Sequence, residues 1–309
     1  MSRKTTTKVH ITTLLLTLIF ASFGVYCIIS NQWPITMAID KPVQTLTPNF
    51  FAQPIVQNDS NWAGYIIASD LQNPQPNVTS INASWIVPEV TAHYVNDSFS
   101  AVWIGVGGYF DRSLIQVGSE QDSISGQAVY SLWYELLPTP AVTLDTMNVS
   151  PGDKIVASIT LVNPDLDLWS IYIADGNQVF QGNVSYASSQ LSAEWIMERP
   201  AVNRRIAVLA NISSVTFSDC KAAIGSQTGT ASSFPSVQSI MYQGILGTTG
   251  VTQLAYVSDL SNDGSRFTVN AYNPAPIPEL PSWMTLPLLI GTFFAIAAIK
   301  KYQTRNKHS

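Results

Sequence analysis

Between the two hydrophobic ends of the chain stand one histidine, His93, and one thiol, Cys220, and that scarcity removes most hydrolytic chemistry. A Ser-His-Asp or Cys-His arrangement would have to use His93, which sits in a polar, loop-like stretch, and no Gly-x-Ser-x-Gly nucleophile elbow occurs. One His and one Cys cannot supply the usual zinc ligand sets. Asp165 and Asp167 could hold Ca²⁺, but an ordinary solvated turn explains them better. There is no Asp-Thr-Gly or Asp-Ser-Gly of the paired-aspartate type, and Gly105, Gly107 and Gly108 end a strand pattern with no helix after it, so no phosphate-cradling loop is formed. No metal and no cofactor is called for. What remains is carboxylate chemistry, or binding without chemistry.

The carboxylates that matter lie in strand-like segments. From about Asn58 to about Tyr272, short runs rich in Val, Ile, Trp, Tyr and Thr alternate with Gly, Asn, Asp and Pro, and no long stretch keeps a helical period. Strands are expected at 62–68, 81–87, 101–106, 114–119, 128–136, 154–162, 169–174, 192–198, 206–210, 214–217, 253–257 and 267–272. That pattern is an all-β domain, an antiparallel β-sandwich of the jelly-roll or concanavalin-like kind. With Cys220 its only thiol, no intrachain disulfide is possible there, and stability must come from a large core. Alternation then sorts the faces. Ala128, Tyr130, Leu132, Tyr134 and Leu136 share a core face, which leaves Ser131, Trp133 and Glu135 on a face suited to binding. Ala193, Trp195 and Met197 point inward, opposite Glu194, Ile196 and Glu198, while Gln116 shares a face with Leu114 and Gly118.

Seven segments follow one another in order: Ser60-Asn61-Trp62-Ala63-Gly64, Ser84-Trp85-Ile86-Val87-Pro88, Val102 to Gly108, Leu114-Ile115-Gln116-Val117-Gly118, Leu132-Trp133-Tyr134-Glu135 with Pro138, Pro151-Gly152-Asp153, and Ala193-Glu194-Trp195-Ile196-Met197-Glu198. Together they resemble the glutamic peptidase (eqolisin) family. The resemblance implies two seven-stranded antiparallel sheets and a catalytic pair, Gln116 and Glu198, in a concave groove. It implies an endopeptidase acting on polypeptides, in which Glu198 moves protons to and from water and the leaving amine while Gln116 stabilises the oxyanion. Trp62, Trp103, Trp133 and Glu135 are then substrate-binding, and Trp85 and Trp195 belong to the core. Ser131 and Gly107 stand where the family often has acidic residues, so a less acidic groove is expected. Two rival classes stay open: a glycoside hydrolase on a similar sandwich, using Glu198 with Glu135 or Glu194, and a noncatalytic cell-surface binding module.

The ends set the expected location. Residues 1–31 carry Arg3, Lys4 and Lys8 before an apolar run from Ile11 to Ile29, the pattern of a signal peptide or signal anchor. A linker or short pro-segment is expected at 32–57, the sandwich at 58–272 and a Pro-rich linker at 273–282. A transmembrane helix is expected at 283–299, with a basic cytoplasmic tail at 300–309. Positive charge on the far side of each apolar run places the domain between them outside the cell, held at the membrane. Seven of the fifteen basic residues lie in those ends, so eight remain against twenty acidic ones, a balance of about −12 that argues against nucleic acid as a partner. Asn-x-Ser/Thr sequons beginning at Asn58, Asn77, Asn82, Asn96, Asn148, Asn183 and Asn211 suit an exported glycoprotein.

Overall fold

β-Branched and aromatic side chains pack well on a pleated surface, and Gly, Asn and Asp supply the tight turns between such runs. The structure, a computed structural model, describes residues 53–92, 96–244 and 250–272. His93 and the apolar segments 11–29 and 283–299 lie outside the described residues. Among the described residues no helix is long and apolar enough to cross a membrane. In chain order the strands are β1 (Ile55–Asp59), β2 (Trp62–Ile67), β3 (Val78–Ile86), β4 (Ala101–Gly107), β5 (Leu114–Ile124), β6 (Gln127–Leu136), β7 (Val142–Thr143), β8 (Lys154–Asn163), β9 (Leu168–Asp175), β10 (Gln178–Ser185), β11 (Ala193–Glu198), β12 (Ala201–Val202), β13 (Arg205–Ile206), β14 (Val215–Ile224), β15 (Gln227–Thr230), β16 (Ser236–Gln243), β17 (Thr252–Gln253), β18 (Ala255–Val257) and β19 (Phe267–Ala271). Two short 3-10 helices, Pro164–Leu166 and Ala231–Ser233, complete the described elements.

One sheet runs β1-β16-β2-β11-β4-β5-β6-β7 with β17 beside β16, and the other β10-β9-β8-β3-β14-β19-β18 with β15 beside β14. The sheets hold nine and eight described strands against the seven each that the resemblance implies, and β7, β15, β17 and β18 among them are only two to four residues long. Strand pairing is antiparallel apart from one edge, where β1 lies parallel to β16, from Ile55 opposite Val237 to Asp59 opposite Met241. That edge departs from the fully antiparallel expectation because β1 arrives from upstream and has no hairpin partner. It also takes Ile55 to Gln57 out of the stretch read as a linker. The strand expected at 206–210 shrinks to Arg205–Ile206, paired with β12, plus a single bridge from Leu209 to Phe99.

Two apolar layers form. Between the sheets, Tyr65 meets Phe267 at a ring separation of 4.8 Å, Phe267 stacks on Phe217 at 5.0 Å, and Trp85 lies 5.9 Å from Phe217. Trp85 and Trp195, both expected in the core, are buried in this layer, Trp195 on the inward face its alternation gives it. Each indole N–H still finds an acceptor, Ser119 Oγ and the Asn82 carbonyl, both at 3.0 Å. A second, smaller cluster covers the opposite face of the nine-stranded sheet: Ile66, Trp103, Leu114, Trp133, Ile196 and Val237. Strands β2, β4, β5 and β11 are therefore buried on both faces along much of their length, which explains their nearly continuous apolar runs. This second face carries the polar side chains singled out above.

Candidate active site

Register across β2, β11, β4, β5 and β6 arranges that face in rows. One row holds Trp62, Glu198, Ala101, Glu120 and Ser131; the next Gly64, Ile196, Trp103, Gly118 and Trp133; the third Ile66, Glu194, Gly105, Gln116 and Glu135. Glu198 and Gln116 thus stand in the outer two rows, two strands apart and four residues apart along the strand direction. Such a step is about 13 Å along the strand and about 10 Å across it. The pair faces a common space and is not in backbone register.

Trp103 occupies the middle row. A Cβ on Gly118 would lie 2.6 Å from the Trp103 Cβ, and one on Gly105 would lie 2.9 Å from Trp103 Cζ3, so both glycines are needed for the indole to lie flat on the sheet. The ring runs over Gly105 at one end, and at the other its Nε1–H donates to Glu198 Oε2 at 2.8 Å. Asn61 Nδ2 donates to Glu198 Oε1 at 3.2 Å. Trp62 stands edge-on to Trp103 at 5.1 Å and 78°. On the far row, Gln116 Nε2 donates to Glu135 Oε2 at 2.6 Å, while the Gln116 Oε1 atom is buried with no partner.

These side chains open onto a groove of about 830 Å³, lined by Gln116, Glu198, Glu135, Trp62 and Trp133 among others. Trp103, expected to be substrate-binding, is fully buried, and its indole N–H donates to Glu198 Oε2. Glu194 shares the face but does not line the groove; it is fully buried, with the Ser192 hydroxyl beside its carboxyl. Burial holds its carboxyl well above the usual range. A glycosidase pair of Glu198 with Glu194 therefore has no geometric support.

Although Ser131 and Gly107 are not acidic, carboxylates from neighbouring positions line the groove. β5 continues to Ile124, five residues past the expected end, so the alternation that carries Gln116 and Gly118 also brings Glu120 and Asp122 to the groove. Ser131, standing where an acid was expected, donates to Glu120 Oε2 at 3.1 Å, and the Ser100 N–H donates to Asp122 Oδ1 at 3.1 Å. Asp59, Glu120, Asp122, Glu135 and Glu198 all line the groove, and among the described residues no Lys, Arg or His does. Burial pushes the Glu198 carboxyl up to about 7 against the donations of Trp103, Asn61 and Trp62, with the Glu135 charge adding to the rise. Asp122 is pushed to about 7 by burial and then by the charge of Glu120. Burial also raises Glu120 and Glu135, the latter against the Gln116 hydrogen bond. Asn61, Asp59, Glu120 and Asp122 were not singled out from sequence. The two on β5 were findable by extending the period-two count, whereas the roles of Asn61 and Asp59 depend on strand pairing. Among the described residues no three His, Cys, Asp or Glu side chains gather to hold a metal ion.

Comparison with known proteins bears on this geometry. Residues 60–259 match the model of the peptidase A4 family. Aspergillopepsin-2 of Aspergillus niger is 25% identical over 192 residues, covering 55% of this chain and 66% of that protein, so the match spans just under two thirds of the relative's length. Among solved structures, scytalido-glutamic peptidase with a transition state analog inhibitor superposes with a TM-score of 0.56 at 18% identity, covering 69% of this chain and 99% of the other. SCP-B, a member of the eqolisin family of peptidases in complex with the tripeptide Ala-Ile-His, gives 0.52 at 19%, with the same coverage. At these identities the superpositions speak for the fold.

Proposed function

The chain belongs to the peptidase A4 family, a family of glutamic-type peptidases, and we propose that it is an endopeptidase whose reacting pair is Gln116 and Glu198. One observation carries the reading. Glu198, lining an acid-lined groove and held by the Trp103 and Asn61 nitrogens, is pushed up to about 7, where a carboxyl can both take and return a proton near neutral pH.

The chemistry follows from the atoms in place. Ionised Glu198 removes a proton from water as the water oxygen bonds to the scissile carbonyl carbon, and the carbonyl electron pair moves onto oxygen. Gln116 Nε2 carries two hydrogens; Glu135 takes one, which fixes the amide, and the other is free to donate to the oxyanion. As the carbon–nitrogen bond breaks, Glu198 returns its proton to the leaving amine. The amide does not titrate, so the pH dependence of the reaction is set by carboxyls. Trp62 and Trp133 supply apolar contact for substrate side chains.

Polypeptide is the substrate class in this reading, and an extracytoplasmic position at the membrane is the accompanying proposal, supported by the basic residues flanking the two apolar segments. Incubating the full-length chain with a denatured protein and with mixed polysaccharides from acidic to neutral pH tests it. New peptide termini, absent with Glu198→Gln, support hydrolysis of peptide bonds. Cleavage of polysaccharide alone would transfer the site to the glycosidase class, and cleavage of neither to a binding module.

A further inference from the structure

We propose that Asp59, one residue upstream of the matched family region, is a positioning residue that keeps Asn61 and Trp62 on the Glu198 carboxyl. This rests on the reading of Glu198 as the acid–base group. Asp59 ends β1, and its Oδ1 accepts the backbone N–H of Asn61 at 2.8 Å and of Trp62 at 3.0 Å. Ser60 and Asn61 turn the chain from the parallel edge strand into β2, which Trp62 opens in register with Glu198. Asn61 is then fastened on its other side, its carbonyl accepting the Arg199 N–H at 2.8 Å, which aims Asn61 Nδ2 at Glu198 Oε1. Trp62 packs edge-on against Trp103, the donor to Glu198 Oε2. Both donors to Glu198 thus lean on a turn that one carboxylate oxygen holds. The same strand is tied to the loop after β4, where the Tyr109 hydroxyl donates to Gln57 Oε1 at 2.6 Å.

If Asp59 only stabilises a turn, its loss lowers the amount of folded enzyme equally at every pH. If it positions the donors, its loss weakens bonds that favour the ionised form of Glu198, and the Glu198 titration moves up. Asp59→Asn separates the capping oxygen from the charge, because asparagine keeps an acceptor at the same place. The parent, Asp59→Ala, Asp59→Asn and Asn61→Ala, all as full-length chains, are followed in two ways. One is the pH profile of kcat/KM on a peptide the parent cleaves. The other is tryptophan fluorescence against pH, which reads Glu198 through Trp62 and Trp103 and whose transition is absent in Glu198→Gln. The expected result is a midpoint for Asp59→Ala about half a unit to one unit above that of Asp59→Asn, with Asn61→Ala shifted in the same sense. Equal midpoints for Asp59→Ala and Asp59→Asn, with activity lost uniformly across pH, would overturn the proposal. Should Asp59→Ala not fold, Asp59→Gln, whose longer side chain draws the acceptor off the two N–H groups, takes its place under the same criterion. A parent that cleaves no peptide would refute the hydrolytic reading, and the fluorescence midpoints would still decide this one.

Discussion

Asp122 offers a test of the groove's electrostatics that does not depend on catalysis. Its carboxyl is 7% exposed and is pushed from an ordinary 3.8 to about 7, by burial first and the Glu120 charge second. A carboxyl whose pKa is raised by folding favours the folded state only while it is protonated. Stability from this group is therefore complete below about pH 4 and is lost as the pH rises through about 7. A rise of roughly three units corresponds to about 4 kcal/mol at 1.36 kcal/mol per unit, and to about 2 kcal/mol if solvent screening halves it. Against a typical total of about 5–15 kcal/mol, either figure is measurable. Asp122→Asn keeps an oxygen for the Ser100 N–H but cannot ionise. Urea unfolding of parent and variant, followed by fluorescence at intervals from pH 4 to pH 8, should show the variant gaining about 2–4 kcal/mol on the parent across that range. Glu198, raised from 4.5 to about 7, adds to the parent's loss of stability between those pH values, and Glu194 acts with the same sign. A parent that becomes more stable from pH 4 to pH 7, or a variant that tracks it in parallel, would refute the reasoning.

Three further outcomes are expected. Glu198→Gln keeps size and most contacts but cannot transfer a proton, so turnover should fall by at least ~10²-fold, and Gln116→Ala should cost ~10² to 10³ in kcat with a smaller change in KM, both read from peptide kinetics. Trp103→Phe removes the 2.8 Å donation to Glu198 Oε2, so the pH limb of kcat/KM assigned to Glu198 should move upward from about 7; a limb that stays in place would leave the indole N–H without influence on catalysis. Trp85→Ala empties the inter-sheet core and should lower unfolding free energy by about 3–5 kcal/mol in denaturant melts, without moving the pH profile of whatever activity remains.

Some strands could not be read from their residues because their environment departs from the usual pattern. β16 carries Ser236, Gln238 and Ser239 at buried positions, satisfied by bonds such as Gln238 Nε2 to the Tyr65 hydroxyl at 3.1 Å and Ser239 Oγ to the Trp62 carbonyl at 3.1 Å, so its apolar period is interrupted. β10 is an edge strand, half exposed along its length, and Gln181, Gly182 and Asn183 interrupt its pattern in turn. The residues 206–210 fail in the opposite sense: an apolar run rich in β-branched residues that gains only a two-residue pairing and one bridge. Propensity favours a strand there, but a strand also needs a free neighbouring edge.

The period-two alternation of single strands determined the all-β class, the inward faces of Trp195 and Leu132, and the shared outward face of Trp133 with Glu135 and of Glu194 with Glu198, because that alternation is a property of each strand's own backbone. What a side chain meets on its face depends on register with strands distant in sequence. Asn61 reaches Glu198 across 137 positions and Trp103 across 95. Only those pairings separate Glu198, hydrogen-bonded at the groove, from Glu194, four residues away on the same face and fully buried away from it. Local alternation makes the two glutamates equivalent, and the difference in solvation and hydrogen bonding that gives one of them chemistry exists only once the sheet has assembled.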